Sequence, residues 1–203
     1  SPYIDAGYDI VYSCTSCGLT LTHDYPGILD VAGGKKIAEN SYNLYEYILG
    51  LVEEGTAALD LGEVRKKVAY HVPCHLRAIG IGYPAARVLS LIPGLKTTII
   101  DDHCCGLSGS YGFKSIHRET ARVIGQKAAQ AILQTSPAAV VADCGACRMQ
   151  LGHHTGIPAL DPVEIIGESL QNAGIPLTTA SLWMSDLKQL QNKIMWKGDA
   201  NAF

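Results

Sequence analysis

No run of about 18 consecutive apolar residues occurs anywhere in this chain, so no segment can span a bilayer as a helix. Nor is there a basic stripe. The formal charge of −3 over 203 residues leaves no electrostatic footprint for nucleic acid. The opening residues, SPYIDAGYDIVYSC, lack a basic stretch followed by an apolar one and so do not read as a signal peptide. A Walker loop, a G-x-G-x-x-G at a strand–helix junction and a Ser-His-Asp order are all missing, which leaves nucleotide binding without support. The glycine-rich stretch Gly106 to Gly112 does not have the lysine spacing of a phosphate loop. Charged residues make up only 17%, against 47% apolar, which excludes disorder and fits one large or two small globular domains with a real core.

The chain does contain seven cysteines in an ordered pattern. Cys14 and Cys17 form a C-x-x-C, Cys74 stands alone, Cys104 and Cys105 are adjacent and followed by Gly106, and Cys144 and Cys147 form a second C-x-x-C. Without an export signal a reducing compartment is expected. There, clustered cysteines serve as metal ligands or reactive thiols more often than as disulfides.

Strand-like and helix-like runs alternate along the chain. Tyr8 to Ser13 reads as a strand running into the first C-x-x-C. From Lys36 to Glu54 a helix is predicted, with Tyr45, Ile48, Leu49 and Val52 on one apolar face and Gly55 as its stop. Tyr42, Tyr45 and Tyr47 are read as packing residues. Asp60 to Lys67 is polar, of mixed charge, and expected to be a linker between two halves. Strands are then predicted over Lys67 to Val72, Leu95 to Asp101, Ala138 to Ala142 and Ile157 to Leu160. Helices are expected from His75 towards Leu91, broken by glycines and Pro84, and from His117 to Leu133. A short helix starts within the second C-x-x-C. Another runs from Asp161 to Asn172, with Asp161 as N-cap and Pro162 in first position. A last helix is expected around Leu182 to Lys193, whose apolar residues would face a membrane, a partner or the domain itself.

Repeated strand–helix units imply an α/β fold: a Rossmann-like parallel sheet with flanking helices, whose strands are short apolar runs because both faces are covered. In such sheets ligands sit beyond the carboxyl ends of the strands. Cys74, the pair Cys104–Cys105, and Cys144 each follow a strand, so the fold would gather groups separated by 29 and 38 residues. Each group is also expected to precede or open a helix, whose backbone N–H groups favour the thiolate. The glycines after the adjacent pair are expected to let the backbone approach a bulky inorganic group. All-thiolate sets suit zinc or iron–sulfur clusters, and five thiols exceed what a structural zinc site requires. His71, His75 and His103 are read as hydrogen-bonding groups around the ligands or as solvated side chains. His153 and His154 are read as an exposed loop pair, Asp101–Asp102 as a strand-end cap, and Lys114 as a solvated lysine.

The pattern Pro73-Cys74-His75, Cys104-Cys105-Gly106, then Asp143-Cys144 with Cys147, resembles the cysteine-rich CCG domain family. This is a family of iron–sulfur subunits of heterodisulfide reductases, of glycolate and lactate oxidising systems and of anaerobic glycerol-3-phosphate dehydrogenases. The stretches Tyr70 to His75 and Cys104 to Lys114 are most similar to the last branch. The resemblance implies a noncubane 4Fe-4S cluster on Cys74, Cys104, Cys105, Cys144 and Cys147, with zinc or an apo state as alternatives. It implies an electron-transfer module of an anaerobic respiratory flavoenzyme, with flavoprotein subunits as partners and electrons passing towards membrane quinone. Disulfide chemistry at such a cluster, or a zinc-stabilised interaction domain, is the alternative. A cytoplasmic location, peripheral on the inner membrane face, follows from the same likeness. Because the family carries tandem repeats, residues 1–62 are read as the end of a first CCG repeat, 63–175 as a complete second repeat and 176–203 as a tail. Cys14 and Cys17 then belong to a first site whose other half would lie upstream.

Overall fold

The computed structural model describes residues 2–29 and 32–176. The predicted tail helix therefore lies outside the described residues. Four parallel strands form the main sheet: β3 (Lys67–His71), β4 (Lys96–Ile100), β5 (Ala139–Val141) and β6 (Ala159–Leu160), in the order β4-β3-β5-β6. Tyr70 lies opposite Ile99 on one side and Val141 on the other. The α/β class and the parallel sheet agree with the sequence reading. A second, two-stranded parallel sheet pairs β1 (Ile10–Tyr12) with β2 (Ser41–Asn43).

Strand periodicity sorts the core into two faces. Val68, Tyr70, Val72, Ala139 and Val141 face one cluster, together with Tyr45, Leu49, Val88, Leu89 and Ile165. These come from α4 (Leu44–Glu53), α6 (Pro84–Ser90) and α9 (Pro162–Asn172). Ala69, Val140 and Ala142 face the other, with Ala128 and Ile132 of α7 (Arg118–Gln134) and Leu151 of α8 (Gly145–Thr155). Cys105, Cys144 and Cys147 belong to this second face. The chain leaves β3 on one side to make β4 and returns on the other to make β5. The connection therefore reverses between β3 and β5, where α/β sheets open a crevice.

Several expectations need correction. The helix expected over Lys36 to Glu54 is two helices, α3 (Gly34–Glu39) and α4, separated by β2. Ser41 to Asn43 pair with Ile10 to Tyr12, and Asn43 then caps α4 by accepting the Tyr45 N–H at 2.9 Å. A distant strand overrode the local periodicity. The segment Asp60 to Lys67 is not a loose linker. Gly62 N–H donates to Ser169 O at 3.0 Å, Ser169 Oγ–H donates to Gly62 O at 2.7 Å, and Val64 is buried. The helix begun in the second C-x-x-C is long, and His153 and His154 lie in its last turn rather than in a loop. The predicted break near Pro84 is present, between α5 (Cys74–Ile79) and α6. Asp161 caps α9 as expected, in a capping box with Glu164. Among the described residues no helix is long and apolar enough to cross a membrane.

Candidate metal centre

The carboxyl ends of β3, β4 and β5 deliver the sulfurs. Pro73, fixed in extended conformation, turns the chain from β3 into α5 and puts Cys74 in the first helical turn. Cys144 is the N-cap of α8; its sulfur makes no capping hydrogen bond, but the Cys147 thiol and the first backbone N–H groups of the helix lie close enough to favour its thiolate. The adjacent pair departs from the expected pattern, because no helix opens at it. After β4 the chain is pinned at Asp101, whose carbonyl accepts from Arg77 Nη1 and whose carboxylate accepts from Tyr83 OH at 3.0 Å. After Cys104 and Cys105 come Gly106 at φ 92°, Ser108 at φ 45° and Gly109 at φ 62°. Two 3-10 turns follow before α7 begins.

The thiols of all three groups meet. Cys147 Sγ donates to Cys105 Sγ at 3.3 Å, well beyond the ~2.05 Å of a disulfide. Cys104 Sγ accepts the Gly106 N–H at 3.3 Å and interacts with both Cys74 and Cys105. Cys144 interacts with Cys147. The five side chains thus run as one connected string, Cys74–Cys104–Cys105–Cys147–Cys144. All seven cysteines are free.

Charge is distributed unevenly along the string. Hydrogen bonds from the Cys105 and Cys74 thiols and from Gly106 N–H hold the Cys104 thiol far below its ordinary value. The Cys147 thiol and two backbone N–H groups pull Cys144 down to about 6. Cys74 is pushed up by its bond to Cys104, Cys105 is pushed up to about 11 by Cys104, and Cys147 is pushed up by donating to Cys105 and Cys144. Cys104 and Cys144 are thus shifted towards the thiolate, and Cys74, Cys105 and Cys147 towards the protonated thiol. Among the described residues no three His, Cys, Asp or Glu side chains form a compact cage for a single metal ion.

Two buried polar atoms at the carboxyl ends of β3 and β5 are left without partners. His71 Nδ1 is buried and unpartnered, and so is Asp143 Oδ2. Asp143 Oδ1 accepts from Tyr70 OH at 3.1 Å, and burial pushes the carboxyl up to about 7. The sequence reading named Asp143 only as part of the motif. Its pairing with Tyr70, 73 positions away, carries no local signal. His75 shares a 2.7 Å hydrogen bond with Ser16 Oγ, and His103 Nε2 lies 3.3 Å from Asp102. Both are hydrogen-bonding groups near the ligands, as expected. Lys114 is exposed.

Gly106 makes a contact that residue order does not announce. A Cβ there would stand 2.2 Å from Ala121 O, so its missing side chain accommodates the α7 backbone. Gly125, in mid-α7, answers it: a Cβ there would stand 2.6 Å from Cys105 O. A glycine inside a strong helical pattern was the available signal for this contact.

Cys14 and Cys17 lie at the start of α2 (Thr15–Leu19), after β1. They interact with each other, and the Cys14 charge raises the Cys17 thiol. Helix α2 packs against α5, with Ser16 bonded to His75, so this pair sits beside the helix carrying Cys74.

Comparison with known proteins gives the same reading. A subunit of the anaerobic glycerol-3-phosphate dehydrogenase of Escherichia coli K12 is 29% identical over 164 residues, covering 81% of this chain and 41% of that protein. A subunit of the dihydromethanophenazine:CoB–CoM heterodisulfide reductase of Methanosarcina barkeri is 25% identical, covering 79% and 40%. An uncharacterized iron–sulfur protein of Methanocaldococcus jannaschii is 29% identical, covering 70% and 26%. The chain thus spans about two fifths or less of these relatives. The family model of the CCG cysteine-rich domain matches residues 68–152, the stretch holding Cys74, Cys104, Cys105, Cys144 and Cys147, and the chain accordingly carries a domain of the CCG cysteine-rich family.

Proposed function

We propose that Cys74, Cys104, Cys105, Cys144 and Cys147 hold an iron–sulfur cluster of the noncubane 4Fe-4S kind, and that the chain is an electron-transfer module of a multi-subunit oxidoreductase. The single observation that carries this is the connected string of five thiols at three strand ends, joined by the 3.3 Å Cys105–Cys147 contact. An elongated all-thiolate set suits a group with several metal atoms better than one zinc ion. The orphaned His71 Nδ1 and Asp143 Oδ2 fit it too, being polar atoms that face no protein partner beside the ligands. When bound, the cluster would take up and release single electrons. The residues around it would hold its sulfurs, supply hydrogen bonds and screen it from water on the α7–α8 side.

The relative that is a subunit of an anaerobic glycerol-3-phosphate dehydrogenase supports a place in a multi-subunit dehydrogenase, and the motif resemblance adds a flavoprotein partner and transfer of electrons towards membrane quinone. The relative from a heterodisulfide reductase favours a second reading, disulfide chemistry at the same cluster.

Residues 1–62 are read as the end of a first repeat. Two observations support this. β1 leads through Cys14 and Cys17 into α2 as β5 leads through Cys144 and Cys147 into α8. Each of these strands then pairs in parallel with the next strand, which ends in a capping box, at Asn43 before α4 and at Asp161 before α9.

Preparation without air tests the reading. The chain should be brown, contain iron and acid-labile sulfide near the stoichiometry of one site, and give an EPR signal on redox titration. Protein that stays colourless after reconstitution, or that carries zinc and no iron from anaerobically grown cells, overturns it. Turnover of disulfide substrates by the full-length protein would move the assignment to the second reading.

A further inference from the structure

His71 closes β3 at the floor of the cleft and is 1% exposed. His71 pairs with Ile100 of β4, yet its Nδ1 has no partner. The charged or titratable groups around it are Cys104, Arg77, His103 and Asp102. Leaving a buried polar atom unpaired destabilises the fold. Here that cost falls beside Cys104, the sulfur that already accepts the Gly106 N–H. A neutral imidazole offers one N–H and one lone pair and adds no net charge.

We propose that His71 donates a hydrogen bond to a sulfur of the cluster held by the five thiols and in this way tunes its reduction potential. The proposal rests on the iron–sulfur reading above. Ligation is the competing role, but five thiols already serve three strand ends, and among the described residues His71 joins no group of three metal-binding side chains. Reduction adds negative charge to the cluster sulfurs, so an N–H aimed at them binds the reduced form more strongly and raises the potential. Its loss should lower the potential.

The full chain is reconstituted without air from ferrous iron and sulfide, as wild type and as His71→Leu, His71→Phe and His71→Asn. Leu and Phe remove the donor by different shapes, so misfolding of one leaves the other to decide, while Asn keeps an N–H. Iron and sulfide content are measured first, then the midpoint by EPR-monitored titration. The donorless variants should keep their iron, and at the wild-type midpoint their reduced-to-oxidised ratio should fall about tenfold, or ~59 mV for a one-electron couple. His71→Asn should recover part of the shift. An unchanged midpoint in iron-replete His71→Leu or His71→Phe overturns the proposal and leaves the cluster reading intact. Loss of iron from all three variants with circular dichroism unchanged, or nitrogen hyperfine coupling of ligand strength in the wild type, overturns it in favour of ligation. A wild type that takes up no iron overturns the cluster reading itself.

Discussion

Among single residues, the adjacent cysteines are placed as much by glycine as by the thiols. Gly106 has φ 92°, and a side chain there would meet Ala121 O at 2.2 Å. The backbone carrying Cys104 and Cys105 is thus held against α7. Ala at this position combines a left-handed backbone strain with an overpacked contact. Gly106→Ala should destabilise the domain by about 2 kcal/mol or more, read as a fall in the urea midpoint. It should also reduce iron content on reconstitution, because the strained backbone moves the residue-106 N–H away from the Cys104 sulfur it bonds. Full iron loading at unchanged stability would show that the Gly106–α7 contact does not set the site. The residue pattern marked Gly106 as conformationally special but carried no sign of its contact with α7. Only the packing of a helix beginning 12 positions later identifies what fills the space.

Between elements, the two capping boxes show how local chemistry and long-range contact combine. Asn43 caps α4 and Asp161 caps α9, each by accepting a backbone N–H two residues on. Cap removal alone costs about 1 kcal/mol, which is the expected loss for Asn43→Ala. Asp161 has two further duties: it accepts Tyr45 OH at 2.7 Å and pairs with Arg148 of α8. Asp161→Ala should therefore cost about 2–4 kcal/mol, since it also leaves a buried phenol without its acceptor and a half-buried guanidinium with only the Ala142 carbonyl. Equal losses for the two variants, in chemical denaturation of the apo chain, would contradict this account. The Asp161 cap was legible from Asp161-Pro162 ahead of an apolar helix face. The break between α3 and α4 was not. Residues 36–54 are helical in their periodicity, and only the pairing of Ser41 to Asn43 with Ile10 to Tyr12 makes three of them a strand.

Across the molecule, three strand ends assemble a site in which Cys104 and Cys144 are shifted towards thiolate and the other three cysteines towards thiol. Cys74, Cys105 and Cys147 must lose protons before metal can bind them, because the thiolate is the ligand. Cys144, with its pKa drawn down to about 6, is ionised above that pH and takes up a proton below it. Loading should therefore fall as pH drops, and fall most steeply below about pH 6. Iron bound after anaerobic reconstitution between pH 5.5 and 8.5 measures this. Loading that is flat across that range would mean the apo thiols are not arranged as described.

The α/β class, the succession of strands along the chain and the position of each cysteine just past a strand were all readable from residue order. Those features rest on hydrophobic periodicity and on glycine and proline punctuation, which act between near neighbours. Three-dimensional packing was needed to bring Cys105 and Cys147 to 3.3 Å across 42 positions, to set Tyr70 against Asp143, and to bury His71 beside Cys104 with an unpaired nitrogen. Each of these depends on strand order in the sheet and on which helix covers which face. Both arise from burying apolar surface across the whole chain, which no short window of sequence encodes.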